Sequence, residues 1–360
     1  MRADEAVPYL VRSRLLDAKD VVRGEIRVTD SSSRNSNLSV HCTTRPGYFI
    51  KHEPPGGISS LKFEAGLYRR AETDGAYARL RPFLPRVHLF DPDARILVLE
   101  LRASARHAKQ LAALAADDVP PVAAELATAL AACHDLGRSA DVSTCAALPE
   151  MAPWAFELTC PRPEIFRDVA PLQLELLKTI QRHPLIAARV DELRRGWSSV
   201  ALMHGDVRWE NVLAEPAGRS GAASNLMLID WECAGLGDPA WDVGSALQAF
   251  LAHAIESLPL RGDAGVQAVS EGFCSSLPAL REHTGLFWST YVREAALPRE
   301  DASSLLHRAL SYCALRLMQS SYEWARGRTL IPRFAVATLQ LGVNMLQLSH
   351  GERAALVGLS

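Results

Sequence analysis

The sequence predicts an α+β protein of two lobes: a small β-rich N-terminal lobe carrying one helix, and a larger, mostly helical C-terminal lobe. Three observations lead there. Short runs rich in Val, Ile and Thr recur through residues 1–100. Ala- and Leu-rich sequence with helical character takes over from about residue 102. At 360 residues the chain can bury two medium cores. The lobes are therefore expected at 1–101 and 102–360.

The elements follow in order. GEIRVTD (24–30) and LSVHCTT (38–44) are partly alternating strands, joined by the polar stretch Ser31 to Asn37. The Arg45-Pro46-Gly47 turn signal leads into a third strand, GYFIKHE (47–53). Pro54-Pro55-Gly56-Gly57 then breaks the chain. Beyond it Leu61, Glu64, Leu67 and Tyr68 recur at helical spacing, with Ser60 as the expected N-cap. RVHLFD (86–91) and RILVLEL (95–101) close the sheet around an Asp91-Pro92-Asp93 turn. A helix is expected over 119–137, with Pro near its start and Gly137 at its end. A second β patch covers 207–231, interrupted by a Gly/Ser loop. From 240 onward the chain reads as helices, with stops near 259–262, Pro298 and Gly327.

Composition excludes several classes. The chain is 48% hydrophobic and 22% charged with a net charge of −2, which gives no general pull toward nucleic acid or anionic membrane. No apolar run approaches the ~20 residues of a membrane span. The first residues, MRADEAVPYLVRSRLL, lack a clean apolar stretch before a cleavage site, so no signal peptide is read and a cytoplasmic protein is expected. Seven scattered cysteines without a C-x-x-C pair read as free thiols of a reducing compartment.

The chemistry concentrates in two strings, HGDVRWENVL and LMLIDWE. Asn211 follows Asp206 by five residues, and Asp230 follows nineteen later. Phosphoryl transfer asks for this set. A carboxylate orients and deprotonates the attacking hydroxyl, for which Asp206 is the candidate catalytic residue. An amide and a second carboxylate, Asn211 and Asp230, hold Mg²⁺ on a nucleoside triphosphate. The apolar run before Asp230 fixes where its carboxylate points. A cation should also grip the phosphates, and Lys51 ends the apolar strand YFIK thirteen residues before Glu64. The remaining cofactor contacts are assigned to Ser32, Ser33 and Asn35 in the polar turn, and to Glu100 and Leu101 at the close of the last strand.

Taken together, Lys51, Glu64, His204-Gly205-Asp206, Asn211 and Ile229-Asp230-Trp231-Glu232 resemble the aminoglycoside phosphotransferase and choline kinase group. Gly237-Asp238-Pro239-Ala240-Trp241-Asp242 is similar to that group's G-D-P-x-x-D segment. The resemblance spans roughly residues 24–250 and implies the protein-kinase-like fold, ATP and Mg²⁺ as cofactors, and an alcohol group as acceptor. It makes Asp242 a brace for the catalytic loop and His204 a packing residue. Two departures stand out. SSSRNSN replaces a G-x-G-x-x-G phosphate loop, and Trp209-Glu210 stands where the group often has Pro-Gly. The loop D-V-R-W-E-N is also similar to the protein-kinase loop D-L-K-P-E-N. That implies a phosphate-neutralising, catalytic role for Arg208, alongside the plainer reading of an exposed loop arginine.

The acceptor is less directly written. In the C-terminal half, carboxylates such as Glu256, Glu282 and Asp301 are matched by Arg281, Arg308 and Arg316, which argues against a polycationic substrate. SRNSN, GYFIK, HGDVRWENVL and the long string from Leu228 to His253 resemble the kinase-like subunits of thioamide-peptide and split-synthetase lanthipeptide pathways. That resemblance implies Ser or Thr of a ribosomal precursor peptide as acceptor, and a separate lyase subunit that eliminates the phosphate to a dehydroamino acid. A small-molecule O-kinase for an antibiotic or aminoalcohol, and a catalytically silent kinase fold that binds peptide, are the alternatives.

Overall fold

The computed structural model describes residues 1–30, 36–54, 60–114, 119–138, 148–167, 169–216, 225–258 and 266–359. The chain divides into two compact units. The first is Met1–His107 with Asn211–Cys233; the second is Ala108–Glu210 with Ala234–Ser360. A single break after residue 101 does not produce this division, because a later stretch of chain pairs back onto the first unit.

The first unit opens with two short helices that the strand pattern of 1–100 does not announce, α1 (Ala3–Arg12) and α2 (Ala18–Arg23). Its sheet consists of β1 (Ile26–Asp30), β2 (Ser36–Cys42), β3 (Gly47–His52), β4 (Val87–Asp91) and β5 (Ile96–Leu101). The strand order is β1-β2-β3-β5-β4, antiparallel throughout. The period-2 pattern of a strand assigns its faces. Leu38, Val40, Ile50, Ile96 and Val98 pack with Ala6 and Leu10 of α1. Lys51, next in line after Ile50, belongs to the opposite face.

That face meets α3 (Ser60–Thr73), which buries Leu61, Glu64, Ala65 and Tyr68 at i, i+3, i+4 and i+7. Ser60 is not the N-cap that the sequence suggests but a helical residue. The Glu53 carboxylate serves the helix start instead, accepting from the Ser60 and Leu61 backbone N–H groups at 2.9 and 3.2 Å and from the Ser60 hydroxyl at 2.6 Å. A small three-stranded sheet completes the unit. In it β6 (Arg106–His107) pairs with β8 (Val212–Ala214), and β8 pairs with β9 (Met227–Leu228).

The second unit is largely helical: α4 (Ala108–Leu114), α5 (Val119–Arg138), α6 (Pro171–Gln181), α7 (Pro184–Arg195), α8 (Pro239–Glu256), α9 (Val266–Glu294), α10 (Arg299–Trp324), α11 (Arg333–Gln347) and α12 (His350–Leu356). The expected helix over 119–137 is α5, one residue longer at its C-terminal end. The stop at Pro298 is the start of α10, and α10 ends three residues before Gly327. The stop expected at 259–262 lies outside the described residues.

Sixteen of the eighteen residues of α8 are buried, consistent with a central helix. It packs along α10, and Gly244 is needed there, since a Cβ would come within 2.4 Å of the Ala309 carbonyl oxygen. Two three-residue strands, β7 (Ala201–Met203) and β10 (Gly235–Gly237), pair antiparallel and lead into the loops of interest. Among the described residues, no helix is long and apolar enough to cross a membrane.

Candidate active site

The first unit gathers Lys51, Glu64 and Asp230. Lys51 Nζ donates to both Glu64 oxygens at 2.8 and 2.9 Å and to Asp230 Oδ1 at 2.7 Å. Each chain segment delivers its residue for a local reason. Strand alternation turns Lys51 toward α3, and the buried stripe of α3 carries Glu64. The β9 strand ends two residues before Asp230, whose backbone lies in the left-handed region at φ 68°. Asp tolerates that region better than most residues, though at a cost of order 1 kcal/mol.

Lys51 is 5% exposed and Glu64 fully buried. Burial disfavours the Lys51 ammonium, but Glu64 and then Asp230 outweigh it and hold its pKa above the ordinary lysine value. Glu64 also accepts from the Tyr68 hydroxyl at 2.7 Å and the Trp231 backbone N–H at 3.3 Å. Its charge is thus fully solvated by protein. Glu232, two residues past Asp230, accepts from the Ser60 hydroxyl at 3.1 Å. Its pKa is raised by burial and by the Asp230 charge.

Asn211 is 6% exposed, and its backbone carbonyl accepts from Ile229 N–H at 3.0 Å in the hairpin that also leads to Asp230. Glu100 accepts from the Arg86 backbone N–H at 3.0 Å through Oε1, and its own N–H donates to the Arg86 carbonyl at 3.0 Å. Leu101 ends β5 opposite Gly47. Ser32, Ser33 and Asn35 lie outside the described residues.

The second unit holds Asp206 and Arg208 on the loop after β7. Gly205 sits at φ 81°, a conformation that glycine adopts without strain. The fully buried Asp242, in the first turn of α8, accepts from the His204 and Gly205 backbone N–H groups at 2.6 and 2.9 Å. The Trp241 indole donates to the Gly205 carbonyl at 2.9 Å. His204 is buried, and its Nδ1 accepts from the Asp206 backbone N–H at 3.3 Å. On the far side of Asp242, His134 Nε2 lies 3.3 Å from Oδ2, and His134 Nδ1 meets the Tyr291 hydroxyl at 2.8 Å. Asp242→Asn would turn an amide donor on these N–H groups. It is expected to lower unfolding free energy by about 2–4 kcal/mol, measured by urea titration.

Asp206 itself is held from two sides. Arg208 Nη2 lies 2.6 Å from Oδ2, and Arg316 Nη2 donates to Oδ1 at 2.5 Å. Arg316 comes from the middle of α10 and is 2% exposed. No sequence motif marks it, and sequence reasoning assigned it only to the surface charge of the helical half. Arg208 and Arg316 also border a cavity, open to solvent, whose charged lining is completed by Lys109, Glu210, Glu256 and Glu323. Its aromatic walls are Trp209, His253 and Trp324. Lys109 Nζ bridges Glu210 and Glu256 at 3.1 Å each.

His253 lies 4.8 Å from the Trp209 ring. Burial, then His283 and Lys109, depress its pKa below the ordinary histidine value. A histidine whose pKa is lowered by folding contributes stability that is complete above its unfolded pKa of about 6.5 and is lost as pH falls below it. The thermal midpoint is therefore expected to drop on acidification below about pH 6.5, and less steeply in His253→Phe.

A family model described as the phosphotransferase enzyme family matches residues 27–282. The chain belongs to that family. Among solved structures, this phosphotransferase resembles a choline/ethanolamine kinase family protein from Mesorhizobium loti, with a TM-score of 0.58 and 15% identity over 100% of each chain. It also resembles wild-type aminoglycoside 2'-phosphotransferase-IIIa in its GDP complex, with a TM-score of 0.52 and 12% identity over 96% of this chain and 99% of that one. At such identities the likeness shows the fold, which is protein-kinase-like. A search of the curated proteins finds no match.

Proposed function

We propose that this phosphotransferase is an ATP-dependent kinase that moves the γ-phosphate onto a hydroxyl, with Ser or Thr of a precursor peptide as the acceptor. The observation that carries the kinase reading is the buried Lys51 shared between Glu64 and Asp230. An ammonium so placed is fixed in position and stays charged, as a phosphate-gripping group must be.

The residues also fit a divalent cation. Mg²⁺ takes one or two protein oxygens beside phosphate oxygens and water. The Asp230 side chain, with Oδ1 on Lys51, remains 31% exposed, and Asn211 adds an amide oxygen. Asn211 and Asp230 would hold the ion, which supplies charge compensation to the triphosphate. The acceptor oxygen attacks the γ-phosphorus as its bond to the β-phosphate oxygen breaks. Asp206 takes the hydroxyl proton, and Arg208 neutralises the transferred group.

For the acceptor, support comes from the cavity beside Arg208 and Arg316. Its three carboxylates, Glu210, Glu256 and Glu323, face three cations, Lys109, Arg208 and Arg316. A polycation would gain little from a lining so balanced, whereas a neutral hydroxyl-bearing residue with an amide backbone suits it. In this reading a separate lyase removes the phosphate, because nothing in the proposed kinase chemistry breaks a Cβ–O bond.

The test is ATP turnover with a Ser/Thr-rich precursor peptide, with aminoglycosides, and with choline. Phosphopeptide found by mass spectrometry supports the reading. Turnover with the small molecules alone replaces the acceptor, and no ATP turnover under any condition overturns the kinase assignment.

A further inference from the structure

Asp206, Arg208, Glu323 and Arg316 form a closed ring of alternating charge. Beyond the two contacts to Asp206, Arg208 Nη1 lies 3.7 Å from Glu323 Oε2, and Arg316 Nη1 lies 3.5 Å from Glu323 Oε1. Glu323 is seven residues beyond Arg316 on the same face of α10, and Gln319 between them donates to Glu323 Oε1 at 2.8 Å. The two arginines are not equivalent. Arg316 is 2% exposed and anchored on a buried helix, whereas the Arg208 side chain is 36% exposed on a loop.

We infer that Arg316 is the positioning residue of Asp206, and that an acceptor hydroxyl reaches the Asp206 carboxylate by displacing Arg208 while Arg316 stays in place. This rests on the kinase reading above and adds to it which guanidinium holds the base and which yields. A buried, bidentate-capable guanidinium with its own counter-charge fixes one carboxylate oxygen in space. The exposed arginine has water and Glu323 as alternative partners, so its release leaves no buried charge unpaired. Glu323 then steadies Arg208 as it leaves Asp206 and turns to the transferred phosphate.

The groups facing Asp206 define what a pH profile reports. On its own loop these are His204 and Arg208, and from α10 Arg316 and Glu323. Further round the cavity are Lys109 of α4, Glu210, and His253 and Glu256 of α8. Taking a guanidinium from beside a carboxylate makes it more basic, and taking away the carboxylate that shares the guanidinium makes it less so.

The experiment uses the full chain and Mg-ATP alone, with water as acceptor, so that no substrate need be known. It follows ATP hydrolysis from acid to neutral pH, ATP affinity by calorimetry and the thermal midpoint. Arg316→Met is expected to lower kcat by about 10- to 100-fold. The acid limb should move up by about one pH unit, with ATP affinity unchanged and partial rescue in Arg316→Lys. Glu323→Gln, which keeps the helix face and serves if Arg316→Met does not fold, is expected to move the acid limb the opposite way. A uniform loss of kcat without movement of the limb in either variant makes Arg316 a structural residue and overturns the inference. Wild-type hydrolysis that Asp206→Asn leaves intact overturns the kinase reading itself.

Discussion

Asp206→Asn is expected to lower the turnover number by about a thousandfold or more while leaving the dissociation constant for Mg-ATP within about twofold. Asparagine keeps the shape of the side chain and its hydrogen bond to Arg316, but it cannot take a proton. The groups proposed to hold nucleotide and metal, Lys51, Asn211 and Asp230, all belong to the first unit, and Asp206 belongs to the second. On the proposed roles, the substitution is expected to affect the transfer step and not the binding. It also removes the charge opposite the buried Arg316, so a stability loss of about 2–4 kcal/mol should accompany it. Single-turnover kinetics separate the chemical step from that loss, and calorimetry reads the affinity. A variant that binds nucleotide and still transfers phosphate at the wild-type rate would remove Asp206 from the mechanism.

Lys51→Met should be the more damaging change to the fold. It leaves the fully buried Glu64 without its cation and beside Asp230, a defect worth about 3–5 kcal/mol. Mg-ATP affinity should fall with it, because methionine offers the phosphates no charge. The double variant Lys51→Met/Glu64→Met is expected to recover much of the stability and none of the affinity. Urea titration and calorimetry on the same preparations distinguish the two effects. The pH dependence follows from the raised lysine value. The lysine's stabilisation is complete below its unfolded pKa of about 10.4 and is lost only as pH rises beyond it, so in the wild type this contribution should be flat from pH 6 to 9.

How much of this could be read from the chain depends on how local each signal is. The strands of the first sheet and helix α3 carry period-2 and period-3.6 patterns across five or more residues, and each appears within two residues of its expected bounds. Lys51 and Glu64 were legible because strand and helix alternation place them on known faces, and Asp230 because of its spacing from Asp206 and Asn211 and the apolar run before it. β7 and β10, at three residues each, are too short to show alternation. α1 escaped notice because Pro8 lies inside it and only Ala6 and Leu10 are buried. Arg316 shows the limit most clearly. Its partner lies 110 residues earlier, and nothing in a 26-residue helix distinguishes one inward arginine from its solvent-facing neighbours. The single break after residue 101 failed to anticipate the return of 211–233 to the first unit, since strand pairing between distant two- and three-residue segments leaves no trace in composition.

The left-handed backbone at residue 230 carries an evolutionary implication. A glycine there would sit at ease, and Lys51 would keep Glu64 as a one-to-one partner, so folding by itself gives little reason to retain an aspartate. Descendants released from catalysis could drift away from it without becoming fragile. On the proposed metal-holding role, an aspartate kept at this spot among homologues would reflect selection on chemistry, and a glycine there would mark a chain released from it.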